Sequence, residues 1–376
     1  MEILRILVSA YKPNTAPTNR FLSFLCGFSE LGVKVEVVFV YPSESSDRLE
    51  NFEVPNVTVS YLWDIYKCRN KLYKYMRSFS DVKRWVKTLP TGCTVFLFGS
   101  YEYLPVLVKR KDLRIYQERT EHPDVNPLVP SFMQKKYLAA CKELSGMFVI
   151  STALKRVYEH MGVDNVHIVN MTVDANRFKG MKKSIDIEPY IAYCGTASNN
   201  KDGVDDLIKA FAIVAGAHPD VKLKIMGKAP SSDDESGNLK LVENLGLKDK
   251  VEFAGIIPAS EMPQMLKNAT IVALARPDSL QAQCGFPTKL GEYLLSENPV
   301  VVTKVGDIPL FLRDNETALL SRERNPKEFA SKMIWALDHP QEAESIGRKG
   351  AEVALREFNY LTESKKIIDT ITRDKQ

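Results

Sequence analysis

No stretch of this chain approaches the ~18 consecutive apolar residues that a membrane span needs. Its first ten residues carry Glu2 and Arg5 around only a short apolar run. Neither a crossing helix nor a secretory leader is therefore expected, and any membrane contact would be peripheral. The six cysteines, Cys26, Cys68, Cys93, Cys141, Cys194 and Cys284, are scattered without a Cys-x-x-Cys pair. That spacing fits free thiols in a reducing cytosol better than a disulfide framework or a zinc site. Asp-x-Asp, His-Glu-x-x-His and Gly-x4-Gly-Lys-Ser/Thr are all missing, so neither a metal-held diphosphate nor a P-loop is expected. The turn from Ala10 to Arg20 contains no glycine. A Gly-x-Gly-x-x-Gly fingerprint is thus absent from the first turn, which argues against a nicotinamide dehydrogenase.

What the chain does have is length for two domains and an uneven charge. Its 376 residues fit two cores of about 180 residues each. Residues 1–185 hold 27 Lys and Arg against 18 Asp and Glu, a net +9, while residues 186–376 hold 24 against 29, a net −5. The first half should face something acidic. Hydrophobic patterning predicts a βαβ opening, with a strand at 3–9, a helix over 19–32 and a second strand at 33–40. Further strands are expected at 94–98, 113–117, 146–150 and 166–169, and in the second half at 190–194, 221–226, 251–255, 270–274 and 300–303. The doubly apolar character of most of these runs predicts parallel sheets buried on both faces. A linker is placed over 179–188, dividing a first domain, 1–182, from a second, 183–359. The acidic segment 231–237 is expected to be a solvated loop.

Open parallel sheets bind ligands beyond the carboxyl ends of their strands, which directs attention to four turns. The first runs from Ala10 through Thr15 and Ala16 to Arg20. The second, Glu118-Arg-Thr-Glu-His122-Pro, sets one of only five histidines beside two glutamates and an arginine; read alone it is a binding turn or a surface histidine ahead of a proline. The third, Gly195-Thr196-Ala-Ser-Asn-Asn-Lys201, joins a glycine, small hydroxyl residues and a lysine ahead of a helix, either a phosphate cradle or a plain turn with a surface lysine. The fourth is Gly285-Phe-Pro-Thr-Lys-Leu-Gly-Glu-Tyr-Leu, followed by Asn298-Pro299 and the strand Val300-Val-Val-Thr303. Here Pro287 suits a helix's first turn, and Thr288 and Lys289 lie among N–H groups without carbonyl partners. Glu292 follows one turn later, where a carboxylate can accept ribose hydroxyls. Taken by itself the stretch also fits an ordinary amphipathic helix with a proline start.

Between Tyr61 and Leu89 the sequence is basic and aromatic. Trp63, Tyr66, Tyr73, Tyr75, Phe79 and Trp85 alternate with Lys67, Arg69, Lys71, Lys74, Arg77, Lys83, Arg84 and Lys87, opposed only by Asp64 and Asp81. Such a helix is a solvated face, a surface for anionic lipid or an acidic acceptor, or a nucleic-acid surface. Nucleic acid is the least favoured of the three.

The fourth turn with its following Pro-Val-Val resembles the nucleotide-sugar signature of the retaining glycosyltransferases of family 4. That family has the GT-B fold: two Rossmann-like parallel-sheet domains facing a cleft, with a C-terminal helix crossing back to the first domain, here 360–376. Its Glu-x7-Glu motif matches at Glu292, but Cys284 stands where the first acid belongs; a Pro-[Ser/Thr/Asn]-Lys-x-x-Glu-Tyr version occurs among members that lack that acid. The resemblance gives Pro287, Thr288, Lys289 and Glu292 to the donor. It aligns Gly195 and Lys201 with a Gly-Arg-x4-Lys-Gly loop that grips the diphosphate, with Thr196 at the arginine position. His122 matches the histidine that meets the donor sugar and reacting centre, and Thr15, Ala16 and Arg20 fall on the acceptor side. Asn170-Met-Thr-Val-Asp174-Ala-Asn-Arg-Phe178 resembles the signature ending the first domain and reads as a structural turn near the hinge.

The resemblance implies a metal-independent, retaining hexosyltransferase in surface-polysaccharide or glycoconjugate synthesis, with His122, Lys201 and Glu292 as its catalytic group. Its donor would be a UDP- or GDP-sugar, with no separate cofactor. The acceptor would be a saccharide or a polyprenol-linked saccharide, and the enzyme would work in the cytoplasm, with peripheral contact on the membrane's inner face through 61–89. The alternatives are a catalytically silent nucleotide-sugar binder and a GT-B sugar epimerase. The central expectation is that Lys201 and Lys289, each at a helix start, jointly hold a pyrophosphate.

Overall fold

Short runs rich in Val, Ile, Leu and Phe, bounded by glycine and polar turns, build two parallel sheets. The computed structural model of the protein describes residues 3–11, 15–41, 53–63, 70–125 and 131–374. It divides into one unit of Met1–Thr172 with Tyr360–Gln376 and another of Val173–Asn359.

In the first unit the strands are β1 (Leu4–Val8), β2 (Val35–Phe39), β3 (Val57–Tyr61), β4 (Thr94–Phe98), β5 (Arg114–Arg119), β6 (Gly146–Val149) and β7 (Val166–Ile168). They form one sheet in the order β3-β2-β1-β4-β5-β6-β7. All pairs are parallel, with Ile6 opposite Val37 on one side and Phe96 on the other. Strand order reverses between β1 and β4. Under the sheet, Phe24 and Phe28 of the helix Ala16–Glu30 join Ile6, Val37, Phe96 and Ile367 in one apolar core.

Ile367 belongs to the last helix, Tyr360–Arg373. This helix returns to the first unit, as the fold class requires, and packs on Ala16–Glu30. Contact is close because Gly27 has no side chain: a Cβ there would lie 2.2 Å from Ser364 Oγ. The buried Glu363 carboxylate accepts the Asn170 N–H at 2.8 Å and the Lys366 ammonium at 2.7 Å, which fastens the returning helix to the end of the first unit.

The second unit holds β8 (Tyr190–Cys194), β9 (Lys222–Met226), β10 (Val251–Gly255), β11 (Ile271–Leu274), β12 (Val300–Thr303) and β13 (Leu319–Ser321). Their order is β10-β9-β8-β11-β12-β13, again all parallel. Order reverses between β8 and β11. Sequence patterning anticipated the strands except β3 and β13. The first has alternating half-burial at a sheet edge, and the second is only three residues long, so neither gives a doubly apolar run.

One expectation is overturned. The segment 231–237 is not a loop but the start of the helix Ser232–Asn244, whose Ser231 hydroxyl caps the N–H of Asp234 at 3.1 Å. Asp233, Asp234 and Glu235 occupy its first turn, where acidic side chains stabilise the helix dipole. Among the described residues, no helix is long and apolar enough to cross a membrane.

Candidate functional site

The order reversal in the second sheet brings the ends of β8 and β11 side by side, and the first turn past β8 is built to let chains approach closely. Gly195 has φ +149°, and a Cβ there would lie 2.1 Å from the Lys289 ammonium. Gly227, at φ +133°, faces it; a Cβ at Gly227 would sit 1.9 Å from the Gly195 carbonyl. No other residue fits either place without moving its neighbours. The chain then makes one turn of helix, Asn199–Asp202, capped by Ser198, before Gly203 turns it into the helix Val204–Ala217. A separate helical turn carrying Lys201 and Asp202 thus precedes the long helix.

Around Gly195 the charged groups converge. Lys289 donates to Asp202 Oδ2 at 2.5 Å and to the Tyr193 hydroxyl at 3.1 Å. Its Nζ lies 4.8 Å from the centre of the Tyr193 ring. The Tyr193 oxygen is 2.6 Å from the Thr196 carbonyl and 2.8 Å from Asp202. Burial would raise the Asp202 carboxyl, but Lys289, Arg276 and the Tyr193 hydroxyl hold it below its ordinary range. Burial pushes the Lys289 ammonium down, opposed by Asp202, with Lys201 adding to the depression. Tyr193 is held well above its usual range by burial and by Asp202, so it stays a neutral hydroxyl.

The fourth turn is fixed from below. Tyr293 donates to the Cys194 carbonyl and accepts the Cys194 N–H, both at 2.7 Å, which ties its helix to the end of β8. That helix is Lys289–Leu295 with Thr288 as its cap, so Pro287 lies ahead of the first turn and not in it as expected. Pro287 precedes it, its carbonyl accepting the Leu290 N–H at 2.9 Å, and Thr288 occupies the cap position without a side-chain capping bond. Cys284 is buried where the missing first acid would be, its thiol pushed up by burial. Thr196 is exposed.

Glu292 is engaged by Arg177 of the short turn Ala175–Phe178. Arg177 also donates to the Ala259 carbonyl at 2.7 Å. Burial raises the Glu292 carboxyl, with Arg177 pulling the other way and Asp174 adding to the rise. The 170–178 signature, read from sequence as purely structural, therefore supplies the partner of a site carboxylate. Arg177, Asp202, Tyr193 and Arg276 were all missed in the sequence. Only Asp202 had a local signal, one residue after the lysine of the third turn.

The first unit has its own reversal, between β1 and β4. Past β1, Ser9 donates to Glu102 Oε1 at 2.8 Å, with Ser100 Oγ 3.1 Å away. Burial raises the Glu102 carboxyl against its own backbone N–H, Ser9 and Arg119. Beside it lies a pocket of about 150 Å³ lined by Val8, Tyr11, Thr18, Phe21, Phe39 and Phe98. Thr15 caps the helix that Ala16 begins, its oxygen accepting the Thr18 N–H at 3.4 Å. Residues 12–14 of this turn lie outside the described residues. Arg20 is buried in an ion pair with Glu118 at 2.5 Å and donates to the carbonyls of Asn170 and Val169. These bonds join the helix to the ends of β5 and β7.

His122 is 9% exposed. Its Nδ1 accepts the Asp124 N–H at 3.1 Å. An accepting Nδ1 carries no proton, so the neutral ring bears it on Nε2 and can donate from there.

Residues 188–339 match the family model of glycosyl transferases group 1. The D-inositol 3-phosphate glycosyltransferase of Segniliparus rotundus is 28% identical over 170 residues, 45% of this chain and 36% of that protein. The mannosylfructose-phosphate synthase of Agrobacterium fabrum is 22% identical over 210 residues, 52% of this chain and 45% of that protein. In both, the similarity spans less than half of the relative's length. Among solved structures, Anabaena HepE in complex with UDP superposes with a TM-score of 0.76 at 17% identity, covering 99% of this chain and 100% of that one. The sucrose-phosphate synthase of Thermosynechococcus elongatus gives 0.76 at 14% identity, covering 99% of each chain. Two Rossmann-like parallel-sheet units with a returning C-terminal helix make this a GT-B fold.

Proposed function

We propose that this chain is a retaining, metal-independent glycosyltransferase of family 4, moving a hexose from a nucleotide sugar to a saccharide or lipid-linked acceptor in surface-polysaccharide or glycoconjugate synthesis. The observation that carries the reading is Lys289 packed against Gly195 at the strand-order reversal of the second unit, with Lys201 on the helical turn that follows the same glycine. Lys289, and Lys201 on the neighbouring turn, would supply positive charge where a diphosphate leaving group develops negative charge, and fixed charges of this kind stabilise a transition state without reorganisation. The glycine lets the Lys289 ammonium lie directly against the backbone of this turn. Glu292, held by Arg177, is oriented to accept sugar or ribose hydroxyls, and His122 would contribute its Nε2–H to the donor sugar. HepE, solved with UDP, supports a UDP-sugar donor, with a GDP-sugar the other candidate.

The acceptor is assigned from the first unit. The apolar pocket beside Ser9 and Glu102 offers hydroxyl partners next to an aromatic wall, which suits a saccharide on a lipid carrier. Such a substrate would place the enzyme on the cytoplasmic face of a membrane, held there peripherally.

Thermal-shift measurement against UDP-, GDP- and ADP-sugars tests the donor half. One of them should raise the melting temperature by mass action, and Lys289→Ala should abolish the rise. If none does so with the wild type, the reading fails. A second reading is favoured by Thr196 and Cys284, which replace an arginine and an acid: a protein that binds the nucleotide sugar without turning it over. Product analysis with the donor that binds separates the two. Transfer to an acceptor supports the enzyme, binding without any conversion supports the silent binder, and conversion of donor without acceptor would indicate an epimerase.

A further inference from the structure

A buried arginine normally has its donors matched, because an unmatched buried charge is costly. Arg20 obeys this rule, with one carboxylate and two carbonyls on its guanidinium. Arg276 does not. It is 2% exposed, and its Nε has no hydrogen-bond partner among the described residues. Its backbone is nonetheless held firmly. Thr303 donates to its carbonyl at 2.7 Å, and Gly203, where a Cβ would lie 1.9 Å from the Ala275 carbonyl, lets the turn carrying Lys201 and Asp202 pack directly against the residues flanking it. The countercharge it feels is Asp202, with the neutral Tyr193 hydroxyl a weaker attraction. Asp202 already takes the Lys289 ammonium. Arg276 and Lys289 thus face a single carboxylate, two cations to one anion, with the Arg276 Nε still unmatched.

We infer that Arg276 is a direct ligand of the donor's diphosphate, supplying from the end of β11 the guanidinium that Thr196 fails to supply after β8. This inference rests on the proposed nucleotide-sugar reading. In the absence of ligand, Asp202 stands in for the anion and keeps Arg276 and Lys289 in place; the incoming diphosphate takes over that role. A guanidinium grips phosphate oxygens by two parallel N–H bonds, which a lone ammonium does not reproduce.

The test uses the full chain and isothermal titration calorimetry with UDP, GDP and ADP, the matching nucleosides uridine, guanosine and adenosine, and inorganic pyrophosphate. Arg276→Met fills the same space without charge. It should weaken the diphosphate that binds, and pyrophosphate, by about tenfold or more, leave nucleoside affinity unchanged, and melt no lower than the wild type. Arg276→Lys should fall between the two. Introducing Thr196→Arg into the Arg276→Met background should restore part of the lost diphosphate affinity and none of any nucleoside affinity. An Arg276→Met protein that fails to fold or melts markedly lower means the guanidinium is already balanced inside the fold, and overturns the inference. Unchanged diphosphate affinity, or equal losses of diphosphate and nucleoside, overturns it as well. A wild type that binds pyrophosphate but no nucleotide or nucleotide sugar sinks the donor reading while leaving the anion role of Arg276 standing, whereas a wild type that binds none of them sinks both.

Discussion

Removing a side chain at position 195 is what allows Lys289 to reach Asp202, so the smallest addition there is informative. Gly195→Ala would place a methyl 2.1 Å from the Lys289 ammonium and force a φ of +149° on an L residue. The lysine is flexible and can withdraw, so stability should fall only by about 1–3 kcal/mol of backbone strain, while nucleotide affinity, read by calorimetry, falls at least tenfold. An alanine that keeps full affinity would show that Lys289 is not needed where it lies. Asp202→Asn tests the same cluster through pH. Asp202 is nearly fully buried and its carboxyl is held low in the folded protein, so its contribution is present above its unfolded pKa of about 3.9 and lost as pH falls through the lower folded value. Breaking this pair should cost about 3–5 kcal/mol at neutral pH. In denaturant melts the gap to the wild type should close below about pH 4, and a gap of constant size would mean that charge is not its origin. Gly195, Lys201 and Lys289 were legible because each lies in a turn next to a strand with a recognisable pattern. Arg177 and Arg276 were not, since each comes from a segment whose own sequence looks structural and meets its charged neighbours only through the fold.

Packing between the first and last long helices of the first unit depends on one pair. A Cβ at Gly27 would collide with Ser364 Oγ at 2.2 Å and Cβ at 2.7 Å, and Ser364 is completely buried with its hydroxyl unpartnered among the described residues. Gly27→Ala should therefore destabilise by about 1–3 kcal/mol through overpacking, although alanine is the better helix former. Adding Ser364→Gly should return part of that loss despite its own propensity cost of about 1 kcal/mol. A favourable coupling in the double-mutant cycle is the expected result; additive losses would mean the helices separate rather than clash. At the start of Ser232–Asn244, Ser231→Ala should cost about 1 kcal/mol in a thermal melt. That helix was misread because its acidic residues resemble a solvated loop in composition, whereas their meaning depends on position relative to the cap. Strands fared better: a doubly buried strand is a continuous apolar run, which survives in the sequence, while β3 and β13 lack that run.

At the level of the whole molecule the charge is divided, +9 over residues 1–185 and −5 over 186–376, and the fold decides which of the basic residues remain available. Residues 64–69 of the basic aromatic stretch lie outside the described residues. Of the rest, Trp63 is buried, Phe79 packs against Tyr75 and Tyr103, Lys74 sits over the Tyr41 ring, and Arg77 lies over Trp63 and pairs with Asp81. The helix Lys71–Thr88 still presents Lys71, Lys83 and Lys87 to solvent. It also presents Leu72, Tyr73, Tyr75 and Met76, 42–68% exposed. Phe132 at 60% and Lys135 and Lys136 are exposed on the helix Ser131–Cys141, which the Tyr75 hydroxyl joins through Met133 Sδ at 3.2 Å. Apolar side chains flanked by exposed lysines suit an anionic bilayer surface better than water, since each cation near such a surface contributes about 1 kcal/mol. The expected outcome is co-sedimentation with phosphatidylglycerol vesicles but not with phosphatidylcholine vesicles, weakening as salt is raised. Lys71→Gln, Lys83→Gln and Lys87→Gln together should reduce that binding by about a hundredfold, three cations at roughly 1 kcal/mol each, while leaving nucleotide affinity unchanged. Binding to neutral and anionic vesicles alike would assign the patch to its apolar residues alone. No binding to either would leave the helix a solvated face, and the acceptor would then have to be sought among water-soluble saccharides.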